Sequence, residues 1–290
     1  MAPGQPYPAR SGYTNVVPAP HITSQLVARA ERFQARFHAA RMGALADLPG
    51  NPFGVEVQKF GSGFGAACKV CHPMLRGKNR IHGVGAADIE SLDDLLRFYR
   101  EDGLPCSLSV LYGEITEGLF SRLASVGLWS AGSGTLPAIV PDGRADEEAP
   151  PGVHIRRSGP EEKDLYLDLF QQAFVGRGEA DPEYRAIHWA EDALPGGARY
   201  IAEAEGKPVG MASFPVVDGV GYFGTGGVLP EFRRRGVQTV LIRRQLADAP
   251  GLGCDLALGG GSAGTSTYRN FERAGLRLLP TGMQWGDIGV

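Results

Sequence analysis

Apolar positions in the second half of the chain change period several times, and each change marks an element. Val153 to Arg157 reads as a strand. From Glu161 to Phe174 the residues Tyr166, Leu169, Phe170, Ala173 and Phe174 fall on one face of a helix. Asp181 suits an N-cap, with Pro182 at the first position of a second helix running to Leu194. The segments ARYIAEAEG, KPVGMASFPVVDG and VGYFGTGGVLP read as three antiparallel strands, with turns at Glu205-Gly206 and Asp218-Gly219. A helix from about Gly236 to Ala247, a strand from Cys254 to Leu258, a helix from about Ser266 to Ala274 and a strand from Arg277 to Trp285 complete the half. The order is β-α-α-β-β-β-α-β-α-β.

The first half ends in a similar way. GVEVQKFGSGFGAACKVCHP reads as two strands around Gly61-Ser62-Gly63, and NRIHGVG as a third. SLDDLLRFYRED is a helix with Leu92, Leu95, Leu96 and Tyr99 at helical spacing. A strand (PCSLSVLYG), a helix (TEGLFSRLASVG) and a last strand (LWSAGSGTLPAIV) follow. LFSRLASVGLWSAG (Leu119 to Gly132) and RNFERAGLRLLPTG (Arg269 to Gly282) both set an aromatic on a helix, then Gly-Leu, then a strand. They read as an internal repeat.

Composition divides the chain further. VPDGRADEEAPPG, from Val140 to Gly152, is polar, acidic and Pro-rich, as linkers are. The expected organisation is a flexible tail at 1–20, a first domain at 21–140, a linker at 141–152 and a second domain at 153–290. A net charge of −3 gives no reason to expect nucleic acid or an anionic membrane as partner. No apolar run reaches the roughly 20 residues of a membrane span. The Pro- and Gly-rich start has no signal-peptide pattern, so a cytoplasmic protein with reduced thiols is expected.

That expectation bears on Cys68-Lys-Val-Cys71-His72, which matches the c-type haem attachment pattern. Such haem is attached outside the cytoplasm. The competing reading places Cys68 on a strand end as a small core residue and Cys71 on the surface. A zinc site from Cys68, Cys71 and His72 or His82 lacks a second close ligand pair. Neither haem nor metal is expected.

The segment richest in chemistry is GGVLPEFRRRGVQTVLIRRQL, Gly226 to Leu246. A strand ends at Val228-Leu229-Pro230, and a basic turn (Arg233, Arg234, Arg235, Gly236) opens a helix. The first amides of a helix have no intrahelical acceptors, and the helix dipole favours an anion there. Such a turn can cradle a pyrophosphate, or it can be a charged turn that merely caps a helix. The segment resembles the acyl-CoA-binding motif of the GNAT superfamily of N-acyltransferases, R/Q-x-x-G-x-G/A. Arg233 and Gly236 match its first two fixed positions, and Gln238 departs from the third. The element order matches that fold from Val153 to Trp285, and STYRNFERAGL resembles the second signature, with Leu276 in place of Phe.

The resemblance implies an α/β (α+β) fold of two tandem GNAT-like repeats, each a mixed, mostly antiparallel sheet flanked by helices. The first is degenerate: acidic residues follow its HGVG strand where a pyrophosphate would sit, so one CoA site is expected, in the second half. It also implies that the strand at Tyr222 to Leu229 splays from the strand at Cys254 to Leu258. The pantetheine arm would lie in the gap, the Val228 amide would polarise the thioester carbonyl, amides from Arg234 through Val237 and Gln238 to Thr239 would hold the pyrophosphate, and Asn270 would touch the arm.

Proton transfer is less well marked. Many members of the superfamily carry a tyrosine where this chain has Phe271; Tyr268, one turn earlier, is the candidate acid, or else an amphipathic wall residue. Glu231 reads as a solvated loop charge, and His188 as a surface or core histidine near the acceptor region. The glycine run in ALGGGSAGT leaves room for a larger acyl group, or is a flexible connection. The expected activity is acetyl transfer from acetyl-CoA to an amine of a small molecule, by a monomer or homodimer. The rivals are a CoA-binding scaffold without turnover and a GNAT fold using another acyl donor.

Overall fold

The computed structural model describes residues 21–61, 63–69, 75–143, 150–176, 181–261 and 264–287. The expected tail and the centre of the linker lie outside them. The first element, α1 (Ser24–Ala46), has no counterpart among the expected elements. Thr23 caps it, accepting from the Leu26 amide at 3.1 Å. Its apolar stripe is diluted by alanine and arginine, which hides the helical period. The signal that marks it is an uninterrupted run of good helix formers with no Gly or Pro from Ser24 to Met42.

The rest of the first half follows the expected order: β1 (Val55–Phe60), β2 (Gly63–Cys68), β3 (Arg80–Val84), α2 (Leu92–Arg100), β4 (Ser107–Val110), α3 (Glu117–Ser125) and β5 (Leu128–Ile139). The second half comprises β6 (Val153–Ser158), α4 (Lys163–Phe174), α5 (Pro182–Asp192), β7 (Ala198–Ala204), β8 (Lys207–Phe214), β9 (Val216–Val217), β10 (Val220–Phe223), β11 (Gly226–Val228), α6 (Val237–Asp248), β12 (Leu256–Gly259), α7 (Ser266–Arg273) and β13 (Arg277–Asp287). Asp181 caps α5 by accepting from the Glu183 amide at 2.9 Å, with Pro182 behind it. No helix among the described residues is long and apolar enough to cross a membrane.

The strands form two sheets, β1-β2-β3-β4-β13-β5-β12-β10-β9 and β11-β8-β7-β6. The fold is a mixed α/β one in a two-lobe, GNAT-like arrangement. The lobes exchange their last strands. β13 leaves the second half to pair antiparallel with β4, Trp285 opposite Leu108. β5 leaves the first half to pair with β12, Leu258 opposite Ala138. β5 and β13 then pair with each other from Arg277↔Ala138 to Asp287↔Leu128. The two segments read as a repeat fall on α3–β5 and α7–β13, and pairing between the equivalent strands sets them about a local pseudo-twofold.

Helix α1 joins the halves as well. It packs against β1, β2, β3 and β13. The Glu31 carboxylate accepts from the Tyr112 amide at 2.8 Å and the Gly282 amide at 2.7 Å. Arg29 pairs with Asp255, and Arg36 with Asp218.

Candidate functional site

The third strand expected in the second half is two strands in two sheets. β10 runs parallel to β12, with Phe223 opposite Gly259. After Gly224 and Thr225 the chain crosses over, and β11 pairs instead with β8, with Val228 opposite Gly210. Thr225 fixes the crossing: its amide donates to Ser213 Oγ at 2.9 Å and its carbonyl accepts from the Ser213 amide at 2.8 Å. β11 therefore diverges from β12 and opens a gap.

The gap widens into a cleft of about 540 Å³ between α4, β11, α6 and α7. β11 is the edge of its sheet, so one side of its backbone faces the cleft. The Leu229 amide donates to Val209 O at 2.9 Å, and the Thr225 carbonyl also faces β8. Alternation in an antiparallel pair then turns the Gly226 and Val228 amides the other way, into the cleft. The far end is the start of α6. Arg234 (φ +63) and Gly236 (φ +81) both adopt left-handed backbone. Only glycine takes that conformation without strain, which accounts for Gly236. The strained Arg234 is of the kind that gathers at ligand-binding turns. Among the described residues, no backbone acceptor takes the amides from Arg234 to Thr239.

Among the described residues the lining includes Arg233, Arg234, Arg269 and Arg273 and no carboxylate, so its charge suits an anion. Arg233 serves the protein itself: its guanidinium donates to Val228 O at 3.1 Å and Ala173 O at 2.7 Å, tying β11 to the end of α4. Arg235 turns to Glu205 at 3.2 Å and does not line the cleft. Gln238 departs from the motif because it bridges two helices. Its Oε1 accepts from Asn270 Nδ2 at 2.8 Å, and its Nε2 donates to Thr267 Oγ1 at 3.3 Å. Val228, Arg233, Arg234, Gly236, Val237, Gln238, Thr239 and Asn270 are all brought to this one cleft.

Tyr268 is not. Residues 266, 267, 269, 270 and 273 of α7 line the cleft, and helical spacing sets Tyr268 on the opposite face. Its role as the acid stays a proposal that Tyr268→Phe tests: a loss of turnover at unchanged acetyl-CoA affinity would support it, and unchanged turnover would remove it. The glycine run is tight at its first two positions and open at Gly261, where a Cβ would meet nothing within 4 Å. A Cβ on Gly259 would lie 2.8 Å from the Phe271 ring, and one on Gly260 would run into the Tyr222 hydroxyl. Ser262 and Ala263 lie outside the described residues, as do Cys71 and His72. Cys68 ends β2 in the core beside Met42 and Phe53, and burial pushes its thiol up to about 11. Glu231 is exposed.

In the first half the equivalent opening is closed. β3 stays paired with β4 to its end, and the Leu111 amide donates to Val84 O at 2.8 Å. Its own carboxylates occupy the turn that follows: Asp88 accepts from the Gly85 amide at 2.8 Å and Glu114 from the Ala86 amide at 3.3 Å.

Sequence reasoning missed a polar group between the halves. His38 lies 5.0 Å from His82, ring to ring, and His188 lies 3.7 Å from the Phe170 ring, tilted by 41°. Burial, then the neighbouring Arg80 and Arg41, push His82 down to about 3. Burial, then Lys78 and Arg41, do the same to His188, to about 3. His38 is lowered well below the usual range by burial, then by His82 and the nearby cations. All three are neutral imidazoles at pH 7.

Unfolding restores an ordinary value of about 6.5, so below that pH the unfolded chain binds protons that the folded chain refuses. Stability is fully present above about pH 6.5 and falls toward pH 3, by about 1.4 kcal/mol per pH unit for each of His82 and His188, with His38 acting in the same direction. Denaturation midpoints at high and low pH within that window test this. A flat profile would mean that the rings titrate as free histidines.

Residues 163–276 match the model of the acetyltransferase (GNAT) family. No curated protein matches the chain. Among solved structures, a GCN5-related N-acetyltransferase from Kribbella flavida is similar at 20% identity and TM-score 0.58, over 87% of this chain and 96% of that one. A GCN5-related N-acetyltransferase from Sphaerobacter thermophilus is similar at 16% identity and TM-score 0.51, over 93% and 94%. FemX is similar at 11% identity and TM-score 0.54, over 93% and 97%. At these identities the likeness is one of fold. The cleft described above falls largely within the matched segment, and residues 163–276 are thus a domain of the acetyltransferase (GNAT) family.

Proposed function

We propose that the protein transfers an acetyl group from acetyl-CoA to the amine of a small molecule. One observation carries this reading. The edge strand β11 turns its Gly226 and Val228 amides into a cleft that runs to the uncapped, arginine-flanked start of α6. A strand edge can take an extended pantetheine arm as an added strand, and a helix start can take its pyrophosphate. The Val228 amide would donate to the thioester oxygen, where negative charge develops during attack. Amides from Arg234 to Thr239 would hold the phosphates, with Arg234, Arg269 and Arg273 beside them. The Gln238–Asn270 pair would keep α6 and α7 at the spacing that the arm requires.

The acceptor amine would attack the carbonyl directly, so most of the rate enhancement would come from positioning. Thiol release from acetyl-CoA across an amine panel tests the reading, with turnover expected for at least one class of amine. The second reading, a CoA-binding scaffold, draws on Phe271, which cannot protonate a thiolate, and on the lack of a carboxylate among the described residues of the cleft lining. Acetyl-CoA binding without thiol release for any amine would select it.

A further inference from the structure

A second cavity, of about 590 Å³, opens where β3, β4, β13 and β5 lie side by side. Its volume falls within the roughly 300–1,000 Å³ of small-molecule sites, and it shares no lining residue with the cleft.

Strand register builds it. Arg80 of β3 stands opposite Ser107 of β4, Ser107 opposite Gly286 of β13, and Gly286 opposite Trp129 of β5. Residues directly opposite share a face of the sheet, so the four form one row. Leu108 and Trp285, one position along, belong to the other face and to the core under α2 and α3. Neighbouring strands lie about 4.8 Å apart, which sets the backbone ends of the row about 14 Å apart. Large side chains stand at both ends, and only Ser107 and Gly286 lie between. Gly286 has no conformational need to be glycine. Its φ is not positive, and a Cβ there would meet Cys106 O at 3.5 Å and Ser107 Cβ at 3.8 Å, which are ordinary contacts. The missing side chain leaves the middle of the row open.

The two ends differ in chemistry. Trp129 lines the cavity with an indole that is 62% exposed. Arg80 is half-buried in the opposite wall. Its Nε donates to Ser107 Oγ at 3.0 Å, and neither Nη1 nor Nη2 has a partner among the described residues. Burial lowers its pKa and no acid raises it, yet a guanidinium stays charged at neutral pH. The one carboxylate among the described lining residues, Asp287, is already spent. It accepts from the Cys106 amide at 2.9 Å and from Arg100 Nη2 at 3.2 Å.

We propose that this cavity binds a small aromatic carboxylate, with the carboxylate on the Arg80 guanidinium and the ring against the Trp129 indole. The guanidinium fork offers parallel N–H groups that match the two oxygens of a carboxylate. A phosphate dianion fits less well, because its second charge would stand near Asp287. A flat ring stacks on an indole, and the floor at Gly286 admits it. The proposal depends on neither the acetyl-transfer reading nor acetyl-CoA binding.

The test is calorimetric titration of the intact wild-type protein, without acetyl-CoA, with benzoate, phenylacetate and indole-3-carboxylate, each beside its primary amide. Saturable binding of at least one carboxylate at one site per chain is expected, with its amide weaker by at least about tenfold. Trp129→Ala and Gly286→Val should each weaken that binding about tenfold or more while moving Tm by less than about 2 °C. Arg80→Gln should weaken it as much, and Arg80→Lys should recover part of the loss. Saturating CoA should leave the affinity unchanged, which separates this site from the anion-attracting cleft. No saturable binding of any of the three, equal binding of the amides, displacement by CoA, or wild-type affinity in both Trp129→Ala and Arg80→Gln would overturn the proposal.

Discussion

Gly236→Trp is expected to abolish acetyl-CoA binding while leaving the two sheets standing. Gly236 opens α6 at φ +81, between the strained Arg234 and the first free amides of the helix. It lies in the wall of the cleft, where an indole would fill the space meant for the pyrophosphate. A loss of more than about 100-fold in affinity, about 2.7 kcal/mol, is expected. The fold bears a smaller effect. A side chain held left-handed costs about 1–2 kcal/mol, a Tm drop of about 2–8 °C. Its Cβ would also lie 3.2 Å from Pro150 Cγ. Gly236→Ala carries the same backbone strain without the bulk. It should share the Tm loss and keep most of the affinity. Wild-type binding by Gly236→Trp would mean that the anion-binding turn is elsewhere.

Separating the halves should destroy both. A segment starting at residue 150 keeps β12 and β13 but loses β5, which pairs with each of them. A segment ending at residue 143 keeps β4 and β5 but loses β13, which lies between them. Leu279, Thr281 and Trp285 of β13 are buried in that position, at 0%, 2% and 6% exposure. Burying a large apolar side chain contributes about 1.5–3 kcal/mol, and each unpaired strand edge adds unsatisfied amides and carbonyls. Neither segment should show a cooperative unfolding transition alone, and co-expression should restore one. Two independently folding segments, each melting near the intact chain, would contradict the strand exchange.

Most of the second half was legible because its elements are short, amphipathic and punctuated. The Asp181-Pro182 start, the Glu205-Gly206 and Asp218-Gly219 turns and the periodic Tyr166 to Phe174 face are local signals, and each lies where its chemistry says. The strand exchange was not legible, because the pairing partner of β13 is set by packing between distant segments. The break between β10 and β11 was hidden for a related reason: VGYFGTGGV has one continuous β pattern, and Ser213 on another strand determines where it parts. α1 escaped because its apolar stripe is interrupted by Arg29, Arg36 and Arg41, which pair with Asp255, Asp218 and Glu191 across the molecule.

The place of the cleft was expected at Arg233 and Gly236 from the resemblance to an acyl-CoA-binding motif, since a basic turn at a helix start can equally be a mere cap. Individual roles were harder. Arg233 reads as a phosphate ligand but is spent on Val228 and Ala173 carbonyls, and Gln238 reads as a flaw in a motif but braces α6 against α7. Spacing along α7 does not by itself say which face the cleft takes, so the position of Tyr268 relative to it was not legible.

The most direct test of the central claim is calorimetric titration of the intact protein with acetyl-CoA, beside free CoA and a longer acyl-CoA. The account predicts saturable binding of acetyl-CoA in the micromolar range at one site per chain, in the cleft between β11 and α6 and none in the first half. No binding of any of the three would contradict it, and two sites per chain would contradict the closure of the first half by Asp88 and Glu114.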